Sequence, residues 1–250
     1  MRRSMLGAGI YGLIGTAAGQ VGNAVWLSFL VALAAALLTA LSYASIGSRY
    51  PRAGGAAYVT QRAYRSTALA FAVGLAVVLS GITSVATQSR VFAAVLADLL
   101  GVEQAPLWLI ALGFLAVLAG LVFRGIKESM WVNILCTIIE AGGLLVVIGV
   151  GLSYWGGVDY LETPQDLAGA SVAILIVQGA VLTFFAFIGF EDAINVAEEC
   201  KEPETTIPIG LIAAMAAAAL IYIAVAITAV SVVPAAELAE VPGPLTEVVR

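Results

Sequence analysis

The feature that most constrains this chain is a stretch of 45 residues, from Ser4 to Ser48, that contains no charged side chain. Further long apolar runs follow, and a helix needs about 20 such residues to cross ~30 Å of hydrocarbon. These runs are too long and too evenly apolar for the alternating strands of an outer-membrane barrel. The sequence therefore predicts an all-α polytopic membrane protein in a lipid bilayer. We expect seven spans, over residues 5–18, 25–46, 67–97, 105–123, 129–152, 168–198 and 206–233, with a Gly/Asn break at Gly19, Gly22 and Asn23 dividing the first stretch.

Composition excludes several classes of function. The chain is 62% hydrophobic and 11% charged, whereas soluble domains are about one quarter charged. Its formal charge of −5 argues against nucleic-acid binding. There is no histidine, the commonest metal ligand and general base, and Cys136 and Cys200 lie far apart in unlike surroundings. We therefore predict no catalytic residues, no metal site, no cofactor and no enzyme activity.

The distribution of positive charge predicts the orientation. Nine of the eleven cations fall on one side of the predicted bundle: Arg2, Arg3, Arg49, Arg52, Arg62, Arg65, Arg124, Lys127 and Lys201. Cytoplasmic loops carry such an excess of Lys and Arg. We expect a cytoplasmic N-terminus, an external C-terminus after seven crossings, and a plasma (inner) membrane location.

A glycine motif stands near the start of the chain, in the segment Gly7-Ala8-Gly9-Ile10-Tyr11-Gly12. It matches the dinucleotide-binding pattern in letters, but only six residues precede it and a hydrophobic span follows, so we reject that interpretation. Close helix packing through small residues is one alternative. The other is an unwound stretch, whose freed backbone groups are tolerated at membrane depth only where they line a cavity or ligand.

A second interruption is predicted in the sixth span, at Ala186–Gly189, where the chain reads Phe184-Phe185-Ala186-Phe187-Ile188-Gly189-Phe190-Glu191-Asp192. Two adjacent carboxylates facing lipid would be unfavourable, but at the first turn of a new half-helix the dipole favours them. Capping and direct substrate or proton contact both remain open for Glu191 and Asp192. With Asn195 and Glu198, Glu191 would form a polar i, i+4, i+7 face. Breaks in spans one and six, five spans apart, indicate an inverted-repeat secondary transporter.

At these motifs the chain resembles the amino acid–polyamine–organocation (APC) superfamily of amino acid permeases, which have the LeuT-type fold. The resemblance lies in the segments at 7–12, at 47–59 and at 184–210. It implies discontinuous helices one and six with substrate between them. The implied substrate site comprises Gly7, Ala8, Gly9, Ile10, Tyr11, Phe185, Ala186, Phe187 and Gly189. Amides of 8–11 would hold a carboxylate, and carbonyls around 185–187 an amine.

The resemblance also implies a division of the chain. Residues 1–152 would form the first five-helix repeat, and residues 153–250 the start of the inverted second repeat. Permeases of this group have about twelve spans, so the sequence is expected to be truncated after the seventh. We expect the loop at 51–55 to form a cytoplasmic turn whose contact moves during alternating access.

Glu140 is the only ionisable group inside the fifth predicted span, on one polar face with Asn133 and Thr137. It stands where some proton-coupled relatives carry a lysine. Two interpretations remain open: a proton-carrying or gating acid, and a structural partner of Arg90. With Glu191 and Asp192, Glu140 completes the predicted coupling and gating residues.

The sequence favours a secondary transporter of an amino acid or related amine, with a proton or sodium as coupling ion. The alternative is a non-transporting fragment or membrane subunit that lacks the second half of the core. A retinal-binding protein is disfavoured, because Lys127 and Lys201 are the only lysines and both fall in loops.

Overall fold

The computed structural model describes residues 10–52, 54–101, 106–164, 171–241 and 243–250. Within them the chain is helical. The α-helices are α1 (Ile10–Val21), α2 (Val25–Arg49), α3 (Gly55–Tyr64), α4 (Thr67–Leu99), α5 (Leu107–Arg124), α6 (Ile126–Gly151), α7 (Val172–Phe184), α8 (Pro203–Val232), α9 (Ala235–Glu240) and α10 (Pro244–Val249). Short 3₁₀ helices occupy Gly22–Ala24, Leu152–Tyr154 and Phe185–Phe187, and a longer one occupies Phe190–Glu199.

Six segments are long and apolar enough to cross a bilayer, and they are Leu13–Arg49, Thr67–Ala97, Leu107–Arg124, Lys127–Tyr154, Val172–Asn195 and Pro203–Val232. The prediction was seven. The difference arises at the start, where α1 has only 12 described residues and is counted together with α2 across the Gly22–Ala24 turn. The chain is therefore a multi-pass membrane protein. Its first two predicted spans are joined by so short a turn that they count as one long apolar segment.

Packing nevertheless shows that α1 and α2 run in opposite directions. Gly47 contacts Ile207 near the start of α8, while Phe29 contacts Tyr222 further along it, so α2 and α8 are antiparallel. Gly151, at the end of α6, packs on Thr228 near the end of α8. Along α1, Tyr11 meets the middle of α6 and Gly22 meets the loop that follows α6. The predicted break is thus a reversal at Gly22, whose φ is +77°.

The centre of the bundle is α2, which packs against α7 and α8. Its buried face repeats alanine every four residues at Ala32, Ala36, Ala40 and Ala44. Small side chains let helices approach closely, and van der Waals packing holds helices together in lipid, where apolar burial gives no advantage. By contrast, α4 and α5 have few buried side chains among the described residues.

Candidate substrate site at the interrupted sixth span

The sixth span is interrupted where the sequence predicted a break. Helix α7 ends at Phe184, one 3₁₀ turn covers Phe185–Phe187, and Ile188 is extended with ψ of 143°. Gly189 then adopts φ of +124°, which glycine tolerates because it has no Cβ. The chain continues as the 3₁₀ helix Phe190–Glu199, which we call the lower segment of span six.

Backbone polar groups are left available at this interruption. The Phe185 carbonyl accepts a hydrogen bond from the Ile188 amide at 3.3 Å. Among the described residues, the hydrogen bonds outside helices include none to the carbonyl oxygens of Ala186 or Phe187. Carbonyls at the C-terminal end of a helix carry partial negative charge and attract cations. The end of α7 can therefore accept an amine.

The Glu191 carboxylate completes the turn. Its Oε2 atom accepts a hydrogen bond from the Gly189 amide at 2.8 Å, as the capping interpretation of this residue expects. Asp192 instead accepts a hydrogen bond from the Asn195 side-chain amide at 3.2 Å. Glu191 is thus bonded to the bend itself, and Asp192 to a residue within the lower segment of span six.

The predicted polar face of Glu191, Asn195 and Glu198 is wrong. That prediction assumed an α-helix, whereas the lower segment of span six is a 3₁₀ helix. With three residues per turn, side chains align at i, i+3 and i+6. The shared face therefore consists of Asp192, Asn195 and Glu198, and the hydrogen bond between the first two lies along it.

The side chain of Phe187 belongs to the core. Its exposed fraction is 6%, and its ring contacts those of Phe29 and Tyr222 with centroids 6.4 and 5.5 Å away. Phe29 and Tyr222 were not singled out from sequence, because aromatic residues in apolar helices carry no signal that separates a site from a core. Phe185, by contrast, is 53% exposed. Of the two phenylalanines predicted at the site, only Phe185 has an exposed ring.

The first-span half of the predicted site is described in part. Gly7, Ala8 and Gly9 lie outside the described residues. Ile10 is buried at the start of α1, which packs against α7. The Tyr11 hydroxyl donates a hydrogen bond to the Glu140 main-chain oxygen at 3.2 Å, across to α6. The two halves of the predicted site therefore lie on helices that pack against each other, α1 and α7. The hydrogen bond of Tyr11 connects α1 to the fifth span as well.

Glu140 lies on an exposed face of α6 with Asn133 and Thr137, as its spacing predicts. Thr137 donates a hydrogen bond to the Asn133 carbonyl at 2.9 Å. In the part of the chain that the structure describes, the ion pairs are Arg52–Glu198 and Arg250–Glu247, so Glu140 does not pair with Arg90. The predicted pairing with Arg90 is therefore not found in the described residues, and a structural contact of Glu140 with a neighbouring helix stays a prediction. The described residues also hold no group of three or more His, Cys, Asp or Glu that could bind a metal ion.

A helical bundle of this kind, interrupted in its sixth span beside α1, defines a polytopic membrane protein. Sequence comparison identifies the family. The amino acid permease family matches residues 3–249, and the chain belongs to that family, within the APC superfamily whose fold is of the LeuT type.

Similar proteins include the cationic amino acid transporter 9, chloroplastic, of Arabidopsis thaliana, 31% identical over 97% of this chain and 45% of that protein. The branched-chain amino acid permease BcaP of Bacillus subtilis is 29% identical over 99% of this chain and 56% of its own length. The methylthioribose transporter of the same bacterium is 30% identical over 94% of this chain and 53% of its own length. The chain thus spans about half the length of these relatives.

Proposed function

We propose that this chain binds an amino acid or related amine between its first and sixth spans and belongs to a secondary active transporter that works by alternating access. The observation that carries the proposal is the interruption at Ile188–Gly189, which leaves the end of α7 open beside α1. Polar backbone at membrane depth is expected where it lines a cavity or binds a ligand.

Each end of the substrate has a proposed partner. Carbonyls of Phe185, Ala186 and Phe187 receive the amine, with Gly189 providing the bend. Amides from Ala8 to Tyr11 receive the carboxylate, since helix N-termini attract anions. This backbone recognition needs only the groups shared by all amino acids, so side-chain selectivity must come from other contacts.

Coupling is proposed to involve Glu140. Its carboxylate is not neutralised by an ion pair in the described residues, and it lies beside the point where Tyr11 meets α6. A carboxylate in such a place can carry a proton or attract a cation such as sodium. Glu191 and Asp192 complete the proposed gating group at the break.

The proposed arrangement in the membrane follows the charge pattern. The side with the Lys and Arg excess is cytoplasmic, in a plasma (inner) membrane. Residues 1–152 form one repeat of five spans, and residues 153–250 begin its inverted counterpart. The break in span six then corresponds to the glycine motif in span one.

Uptake of radiolabelled amino acids into liposomes tests this proposal. Protein-containing vesicles should accumulate at least one amino acid when a proton or sodium gradient is imposed, and protein-free vesicles should not. Gly189→Ala should abolish uptake, since alanine disfavours φ of +124°. Gly210→Ala is the matched control, because no atom lies within 4 Å of the added methyl group. Absence of uptake under every gradient would favour the non-transporting alternative.

A further inference from the structure

The lower segment of span six is held along one face by the loop between α2 and α3. That face carries Asp192, Asn195 and Glu198, one turn apart in the 3₁₀ helix. Arg52 Nη1 lies 3.6 Å from Glu198 Oε1. One turn nearer the break, the Asn195 side-chain oxygen lies so close to Gly55 that an added Cβ would collide with it. Two successive turns of the lower segment thus rest on the same loop.

Two contacts join the loop to the helices on either side of it. The Arg62 guanidinium of α3 lies over the Tyr50 ring, 5.9 Å from its centroid, which joins the end of α2 to α3. Gly54 packs closely against Tyr58, and Gly55 begins α3 with φ of +50°. A Cβ at Gly55 would be strained by that φ and would also collide with Asn195. Glycine at position 55 therefore leaves the space that Asn195 of the lower segment occupies.

The contact between the loop and the lower segment of span six is connected to the proposed substrate site by one hydrogen bond. Asn195 donates a hydrogen bond to Asp192, which lies in the first turn after the Gly189 bend. A displacement of the lower segment from the loop would therefore move the chain next to the available carbonyls. An ion pair with exposed fractions of 68% and 44% is worth a change of no more than about fivefold in an equilibrium. A contact of that strength can form and release during a transport cycle.

We propose that Arg52, Gly55, Asn195 and Glu198 form a loop latch that closes the inner side of the site by holding the lower segment of span six. The inference rests on the proposed function only in assigning the released state to the transport cycle; the latch itself is a property of this fold. Releasing it increases access to the break from the side of the loop.

The test measures that access without relying on transport. A cysteine is introduced at Ile188, which is 48% exposed at the break, and a membrane-impermeant maleimide is applied from the side of the α2–α3 loop. Labelling of Cys136 and Cys200 is subtracted using the same variants with Ile188 intact. Arg52→Glu and Glu198→Arg should each speed labelling about threefold to fivefold. Combining them reverses the ion pair and should return the rate to within twofold of the parent.

The matched control is Glu199→Arg, because Glu199 is adjacent, exposed and outside both ion pairs of the described residues. It should leave the labelling rate unchanged. Equal labelling in parent, single and double variants would overturn the latch, as would acceleration by Glu199→Arg equal to that of Glu198→Arg. If labelling follows the predicted pattern but no amino acid is taken up, the latch stands and the proposed function fails.

Discussion

Gly179 lies on α7 where that helix passes the end of α1 and the start of α2. A Cβ at this position would meet Val21 on one side and the Ser28 hydroxyl on the other. Nearby, the Ser28 hydroxyl donates to the Ile176 carbonyl at 3.0 Å, and Thr183 donates to the Ser28 carbonyl at 3.1 Å. Three spans thus meet at a position where only hydrogen fits.

We expect Gly179→Ala to lower the free energy of unfolding by about 1–3 kcal/mol through overpacking. Gly142→Ala is the matched control: it adds the same methyl group to α6 with no atom within 4 Å. It should leave stability unchanged or raise it by up to ~1 kcal/mol through helix propensity. Thermal unfolding in detergent measures both variants. Equal stability of the two would show that α7 is not tightly packed at Gly179.

Two substitutions of Glu191 distinguish the role of its capping hydrogen bond from the role of its negative charge. Replacing it with alanine removes the acceptor for the Gly189 amide, and a lost hydrogen bond of this kind costs about 1 kcal/mol, or roughly fivefold in uptake. Glu191→Gln keeps an acceptor oxygen and should retain most activity. Initial rates of uptake in liposomes measure both. Loss of activity in the glutamine variant as well would assign the role to the negative charge.

Glu140 is tested through the gradient that drives uptake. Glu140→Gln should remove the dependence of uptake on an imposed pH gradient, because an amide cannot carry the proton. Glu128→Gln, in the first turn of the same helix, is the control and should retain that dependence. Inserted protein is quantified for each variant. Unchanged pH-gradient dependence in Glu140→Gln would reassign this acid to structure.

At the scale of elements, the short helix α9 docks along α1. Gly15 lies against the Leu238 carbonyl and the Pro244 ring, and a Cβ added to Gly19 would lie only 2.6 Å from the Ala239 Cβ. Leu238 is fully buried in the same contact region. Gly15 and Gly19 therefore serve close packing. Gly19 was predicted to belong to the break between the first two spans, but it lies inside α1, which continues to Val21.

We expect Gly19→Val to displace α9 and to speed amide hydrogen exchange in residues 235–240 by at least about fivefold, since overpacking costs ~1 kcal/mol or more. Gly120→Val places the same side chain on α5, where no atom lies within 4 Å of an added Cβ. Exchange in residues 235–240 should be unchanged in that control. Hydrogen exchange of both variants is measured by mass spectrometry in detergent. Equal rates in the two variants would contradict the packing of α9 against α1.

At the scale of the whole molecule, the loop after α6 ties the ends of several spans together. Trp155 donates to the Thr228 hydroxyl at 3.0 Å, Trp26 donates to the Tyr160 carbonyl at 3.0 Å, and the Tyr160 hydroxyl lies 2.8 Å from that of Ser231. The loop between α2 and α3 lies at the opposite ends of these helices. Because the two loops mark opposite faces of the bundle, they can report its orientation.

We expect Gln61→Cys in α3 to react with an impermeant maleimide only from the cytoplasmic side, and Leu161→Cys only from outside. Both positions are exposed, and the excess of Lys and Arg surrounds the first. Labelling of intact cells and of inverted membranes measures the two variants. The reverse pattern would show that the charge distribution does not set the orientation of this chain.

Sequence alone determined the class of structure. The thickness of the bilayer fixes the length of an apolar run, so the approximate bounds of the long helices could be predicted without knowledge of their neighbours. Their number could not, since the seven predicted spans correspond to six apolar segments. The break in span six was also predictable, because Gly189 is a local preference that does not depend on packing. For the same reason the reversal at Gly22 could be placed within the first apolar stretch.

Contacts between distant residues were decided only by the tertiary structure. Whether Phe187 faces a substrate or the core depends on Phe29 and Tyr222, which are far from it in the chain. The face shared by Asp192, Asn195 and Glu198 depends on the tighter winding of their helix, and the polar pattern by itself fits either period. The pairing of Arg52 with Glu198 required both segments to be placed. A uniformly apolar sequence indicates that its helices lie in lipid. The faces through which those helices contact each other depend on the shapes of the side chains that pack together.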